Sequence, residues 1–261
     1  MNSSQPEISD SNTLVELTED LPESRLSNAD IAPTKIRNRT WNFWHIAALW
    51  VGMSVCIPTY MLAASMISAG MNWWQSLLAI FLGNFIVLIP LILNAHAGTR
   101  YGIPFPVYAR SSFGTMGAHI PSVLRSLVAC GWFGIQTWIG GMAIHAIISI
   151  LWEGWQSFGG DWSFMGYGLP AYMSFFIFWL INMYFVWAGT DSIKWLESIA
   201  APFLLVMGIL LLVWASSKVG GIGTILEKSD ELVQSGKDLS TSGFIFTLFV
   251  PWLTAMVGYW A

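Results

Sequence analysis

An all-α integral membrane protein with the marks of a transporter is the fold class this sequence predicts, and three observations carry it. Of its 261 residues, 55% are hydrophobic and only 10% charged, against about 25% charged in ordinary soluble domains. Apolar runs recur along the chain at lengths that cross a bilayer, each crossing needing about 20 residues. The first and last of these runs are interrupted by Gly and Pro at corresponding places, the pattern that marks a transporter binding site built on broken helices. Other classes fall away. The net charge is −4 and the basic residues do not cluster, so no nucleic-acid partner is expected. No nucleophile–base pair or metal-ligand cluster suggests an enzyme. Cys56 and Cys130 lie in apolar segments and read as small buried hydrophobes rather than a disulfide.

Residues 1–40 are dominated by Ser, Asn, Asp and Glu without a continuous apolar core. They predict a disordered cytoplasmic tail rather than a cleaved signal, ahead of a transmembrane transporter domain over 41–261. Six spans are expected, at about 42–69, 73–97, 118–150, 170–189, 196–216 and 243–261. In the first, Gly52 and Pro58 interrupt the helix, because proline removes a hydrogen bond to the carbonyl of Ser54 and clashes with it. The stretch GTRYGIPFPVYARSSFG, 98–114, is too rich in Gly and Pro for a simple helix and reads as a cytoplasmic loop. The third span is long enough to tilt strongly or to outrun the bilayer. AGTDSIKWLES, 188–198, fits a short interfacial turn or helix, and Pro251 and Gly258 bracket WLTAMV in the sixth span as Gly52 and Pro58 do in the first. The chain stops at Ala261 inside an apolar run, so it is expected to be incomplete.

Chemistry is carried by CGWFGIQTWIGG, residues 130–141. An unpaired amide is costly in hydrocarbon, so Gln136 needs a reason to be there. At about 100° per residue, Trp132, Gln136 and Gly140 share one stripe of the third helix. A flat ring lying on the Trp132 indole would present its edge to Gln136, whose amide both donates and accepts and so suits an alternating C=O and N–H edge. The alternative is an interhelical hydrogen bond. Gly134 and Gly141 leave room on other faces for close helix approach. Arg125 lies two turns before Trp132 and must be paired or snorkel; Glu197 is its one acidic candidate partner in the spans.

WHIAALWVGMSVCIPTYMLAASM, GWFGIQTWIGG and WLTAMVGYWA, in that order and spacing, resemble the nucleobase–cation symporter family of purine, pyrimidine, allantoin and hydantoin permeases. The resemblance covers residues from about 36 to the end. It implies a LeuT-like inverted-repeat fold, truncated here after about six transmembrane helices: the first repeat and the start of the second. It implies that Trp132 stacks on one face of a heterocyclic substrate, that Gln136 reads its edge, and that Trp260 covers the other face. It further implies that backbone carbonyls of Gly52 and Val55 contact sodium, that the coupling ion is Na⁺ or H⁺, and that there is no other cofactor. Cys56 stands where hydantoin permeases have glutamine, so the ligand differs there. The expected function is secondary active uptake of a nucleobase or cyclic ureide (allantoin, hydantoin, uracil or cytosine) at the cell membrane. The competing readings are a non-transporting permease fragment and a passive channel.

The basic residues give the sidedness. Lys35, Arg37 and Arg39 precede the first span and Arg100 and Arg110 follow the second, whereas 151–169 carries no Lys or Arg. By the positive-inside rule the amino terminus and the 98–117 segment are cytoplasmic, and 151–169 and 217–242 external. A cysteine introduced at Ser229 is expected to react with a membrane-impermeant thiol reagent added outside intact cells; reaction from the cytoplasmic side alone would reverse the topology.

Overall fold

The computed structural model describes residues 8–11, 14–17, 22–232 and 240–260. Parts of the expected tail, of the 217–242 connection and Ala261 lie outside the described residues. The rest is almost entirely helical: α1 Phe43–Ser54, α2 Ile57–Ser68, α3 Trp73–Tyr101, α4 Phe105–Gly117, α5 His119–Leu151, α6 Leu169–Ala188, α7 Thr190–Val219, α8 Ile222–Leu232, α9 Thr241–Phe244 and α10 Val250–Gly258. A π-helical turn, Ile245–Phe249, joins α9 to α10. Among the described residues, five helical stretches are long and apolar enough to cross a membrane, and the bent pair α1 and α2 meets the same test of length and composition when taken together, as a broken span or a re-entrant loop. Large apolar side chains such as Leu93, Phe203 and Leu211 point outward along these helices, as a lipid-facing surface requires.

The first span is broken as expected, but Pro58 plays a different part. The break falls at Val55–Cys56, where α1 and α2 meet at 49°, and Cys56 is extended (φ −136°, ψ 159°). Pro58 sits in the first turn of α2, where its missing N–H costs nothing and its fixed φ favours the helix. It starts the second half-helix rather than kinking a continuous one. In the sixth span WLTAMV is helical through to Gly258, so Pro251 and Gly258 do not open it. Pro251 too lies in a first turn, and the π-helical turn just before it absorbs the irregularity.

The 98–114 segment is not a loop. α3 runs on to Tyr101 and stops at Gly102, which takes the left-handed conformation (φ 66°) that glycine adopts without strain. Pro104 then caps α4 and Pro106 lies in its first turn. Gly and Pro therefore punctuate the ends of helices here instead of dissolving one, apart from a non-helical Gly114. The 188–198 stretch combines the expected turn and helix: a corner at Gly189 followed by the opening turns of α7, with Asp191 in the first turn, a favourable place for an acid. α3 begins with a capping box: Asn72 Oδ1 accepts from the Gln75 amide at 2.8 Å, and the Asn72 amide donates to Gln75 Oε1 at 2.9 Å.

The chain forms two compact units, 1–42 with 53–119 and 203–261, and 43–52 with 120–202. The first is centred on buried Met66, Met71, Ala79 and Met256, flanked by Leu62, Leu248 and Trp252. α10 packs along α3 there. Part of the expected tail belongs to this unit. It carries an antiparallel hairpin, β1 Ile8–Ser11 with β2 Leu14–Leu17, and the strap at 22–42 is bonded to α3 and α4. The Arg39 guanidinium donates to the carbonyls of Val15, Thr34, Thr99 and Arg100 at 2.9–3.3 Å. Two of these carbonyls lie in the last turn of α3, where a cation is favoured. Arg110 of α4 donates to Leu26 O at 2.7 Å.

In the second unit α5 packs on α6 through its glycines. Gly140 lies under the Phe178 ring, and a methyl group at Gly141 would come within 2.6 Å of Phe175 Cα. Beside them Trp138 meets Tyr167 edge to face at 4.8 Å and packs near Tyr172 and Phe175. A short hairpin, β3 Ser163–Phe164 with β4 Tyr167–Gly168, precedes α6. Gly141 therefore allows the close approach expected of it. Gly134, expected to do the same, has no heavy atom within 4 Å of where its side chain would project. Gly141→Ala is expected to destabilise the purified chain by about 1–3 kcal/mol through overpacking, whereas Gly134→Ala leaves its thermal unfolding midpoint in detergent unchanged or slightly raised.

Candidate functional site

α5 is continuous from His119 to Leu151, so the one-turn spacing of Trp132 and Gln136 is preserved. Trp132 is half-buried and Gln136 exposed. The next residue, Thr137, is buried and donates to Phe133 O at 2.6 Å. The helix thus turns one polar group inward and satisfies it locally, while the neighbouring amide is left facing out. Gly140, on the same stripe, is taken up by Phe178 and belongs to helix packing. The part of the stripe open to a ligand is therefore the turn from Trp132 to Gln136.

Trp260 lies in the other unit, just past the end of α10. Its Nε1–H donates to Asn84 Oδ1 of α3 at 2.8 Å, and the Asn84 amide nitrogen donates to Ile80 O at 2.8 Å. Both ends of the Asn84 amide are thus used, which fixes its orientation. Beside it, the Tyr259 hydroxyl, the Cys56 thiol and the Thr59 hydroxyl form a triangle with sides of 3.0–3.2 Å. Tyr259 and Trp260 meet edge to face at 5.2 Å. Cys56, read from the sequence as a small hydrophobe, is instead a polar participant at the break of the first span. The triangle ties that break to the end of the sixth span within one unit. Asn84, Thr59 and Tyr259 were not singled out by sequence reasoning. The signal for Asn84 was available: an amide in the apolar run IFLGNFIVLI raises the same question as Gln136.

The two expected cation contacts are placed differently from each other. Gly52 is in the last turn of α1, and Val55 is in the non-helical break itself. A helix end leaves its last carbonyls without intrahelical donors, so this is a place where backbone oxygens are available. Glu197 of α7 reaches the same point: a methyl group at Gly52 would overlap its Oε2 and lie 2.9 Å from its Cδ.

Residues 33–261 match the family described as permeases for cytosine/purines, uracil, thiamine and allantoin. The chain is 43% identical over 237 residues to the purine-uracil permease NCS1 of Arabidopsis thaliana, covering 90% of this chain and 38% of that one. It is 37% identical over 238 residues to the allantoin permease of Bacillus subtilis, covering 91% and 47%. It is 32% identical over 186 residues to the hydantoin permease of Microbacterium maritypicum, covering 71% and 35%. The chain therefore spans less than half the length of these relatives. No solved structure matches it significantly.

Two substitutions probe the polar contacts around Trp260. Tyr259→Phe removes a hydroxyl shared by Cys56 and Thr59 and is expected to cost about 0.5–1.5 kcal/mol. Asn84→Ala strands the Trp260 N–H and is expected to cost more, about 1–3 kcal/mol. Thermal unfolding of the purified protein in detergent ranks the two.

Proposed function

The chain belongs to the family of permeases for cytosine/purines, uracil, thiamine and allantoin, and from that membership we propose that its natural gene product takes up a nucleobase or related cyclic ureide by cation-coupled secondary transport. In this reading the chain supplies the first five-helix repeat of a LeuT-like transporter and the opening helix of the second. It lies in the cell membrane with its amino terminus cytoplasmic. Na⁺ or H⁺ drives uptake by alternating access, in which one bundle rocks against the other around a central site.

The observation that carries the proposal is the turn of α5 on which a half-buried indole and an outward-facing amide stand four residues apart. The relatives' named substrates are planar rings. Trp132 offers such a ring a stacking surface, worth about 1–3 kcal/mol per base and indifferent to the chemistry of the ring edge. Gln136 offers one donor group and one acceptor, and selectivity follows because a ligand with the wrong edge leaves a buried polar group unpaired. Trp260, its N–H already held by Asn84, contributes its ring face rather than a hydrogen bond. Gly52 and Val55 contribute backbone carbonyls to the cation.

Uptake of allantoin, hydantoins, uracil, cytosine and adenine by the natural gene product tests the scheme. Trp132→Ala is expected to weaken every accepted ring by a similar ~1–3 kcal/mol. Gln136→Leu is expected to act unevenly, most on ligands whose C=O/N–H edge it reads. A uniform loss across the panel on folded protein would make Gln136 a helix-packing residue, and uptake without saturation would make the protein a channel.

A further inference from the structure

Resting on the reading of the chain as a cation-coupled permease, we propose that Glu197 is an anionic ligand of the coupling cation, held against the end of the first half-helix by the absence of a side chain at Gly52. Both residues belong to the same compact unit. Glu197 lies within α7, one of the helices long and apolar enough to cross the membrane, where an acid is expensive and marks an ion path or a paired charge. Its Oε2 is buried and has no hydrogen-bond partner among the described residues. A methyl group at Gly52 would overlap that oxygen, and the other carboxylate oxygen lies 3.2 Å from the same point.

The carboxylate lies beside the last turn of α1 at Gly52, the unfavourable end of a helix for an anion. The last turn of α1 carries leftover carbonyl oxygens and the negative end of a helix dipole. A carboxylate beside such oxygens adds an acceptor to the set and no donor. A small hard cation converts that set into a favourable one, because oxygen atoms from carboxylates and backbone carbonyls are the ligands such ions take. The end of α1 at Gly52, in the same unit as Glu197, supplies neutral backbone oxygen, and Glu197 supplies the charge that backbone alone cannot.

The test needs no transported substrate. The purified natural gene product is heated in detergent in sodium chloride or in choline chloride, at equal ionic strength and fixed pH. Sodium is expected to raise the unfolding midpoint relative to choline. Glu197→Gln keeps the shape and removes the charge, and is expected to weaken the apparent sodium affinity about tenfold or more. Gly52→Ala displaces the carboxylate and is expected to weaken it as well, while Gly134→Ala leaves it unchanged. If Glu197→Gln fails to fold, Glu197→Asp and Gly52→Ala carry the same comparison. A sodium response that survives in these variants overturns the assignment, as does a wild-type protein that does not distinguish sodium from choline. Sodium binding lost with Glu197, in a protein that accumulates no heterocycle, would sink the transport reading and leave the cation site standing. Saturable, sodium-independent uptake would do the reverse.

Discussion

Hydrocarbon offers backbone amides and carbonyls no partners, and most of this architecture follows from that constraint. Every span must close its own hydrogen bonds or be covered where it does not. The ends and irregularities of the helices show how closely the rule is kept. α3 opens with a reciprocal cap, Asn72 with Gln75, and its terminal carbonyls accept from Arg39. Ser and Thr side chains within the spans, such as Thr137, Ser174 and Thr254, donate to carbonyls of their own helices. Against this background the break at Val55–Cys56 stands out as a place where the ladder is interrupted. The groups that gather at it are polar ones, the thiol and hydroxyls of Cys56, Thr59 and Tyr259. Within the other unit, the Glu197 carboxylate lies at Gly52.

The spans were legible in the sequence because length and hydropathy are summed over many residues, and neither depends on what a helix packs against. The third, fourth and sixth expected spans begin within two residues of α5, α6 and α9. Gly and Pro were harder to read. The same residues that end a helix also begin one, so 98–114 looked like a loop although α4 occupies most of it, and Pro251 looked like a break although it lies in the first turn of α10. Composition could not distinguish these cases, because the difference lies in whether the proline falls in a first turn or an interior one.

The candidate site divides along the same line. Trp132 and Gln136 follow from helical period alone, since their relation is local. The partners of Trp260 and Cys56 do not: Asn84 is 176 residues from Trp260, and Tyr259 is 203 residues from Cys56. No periodicity joins positions so far apart. Gly52 was singled out for its place in a broken helix, and Glu197 as a partner for Arg125. That the two meet is a tertiary fact, and it gives the glycine a steric reason that its position in the chain did not.

The Arg39 clamp has a consequence for counting. Its guanidinium reaches Thr99 and Arg100 at the far end of α3 as well as Thr34 beside it, so the chain just before α1 and the chain just after α3 occupy the same face of the membrane. A polypeptide that returns to its starting face has crossed an even number of times. α3 accounts for one crossing, and the bent pair α1–α2 must supply the other. A re-entrant excursion, dipping in and coming back, would leave the count odd and the clamp unreachable. Parity therefore makes the two half-helices one interrupted passage through the bilayer, on the strength of a single arginine.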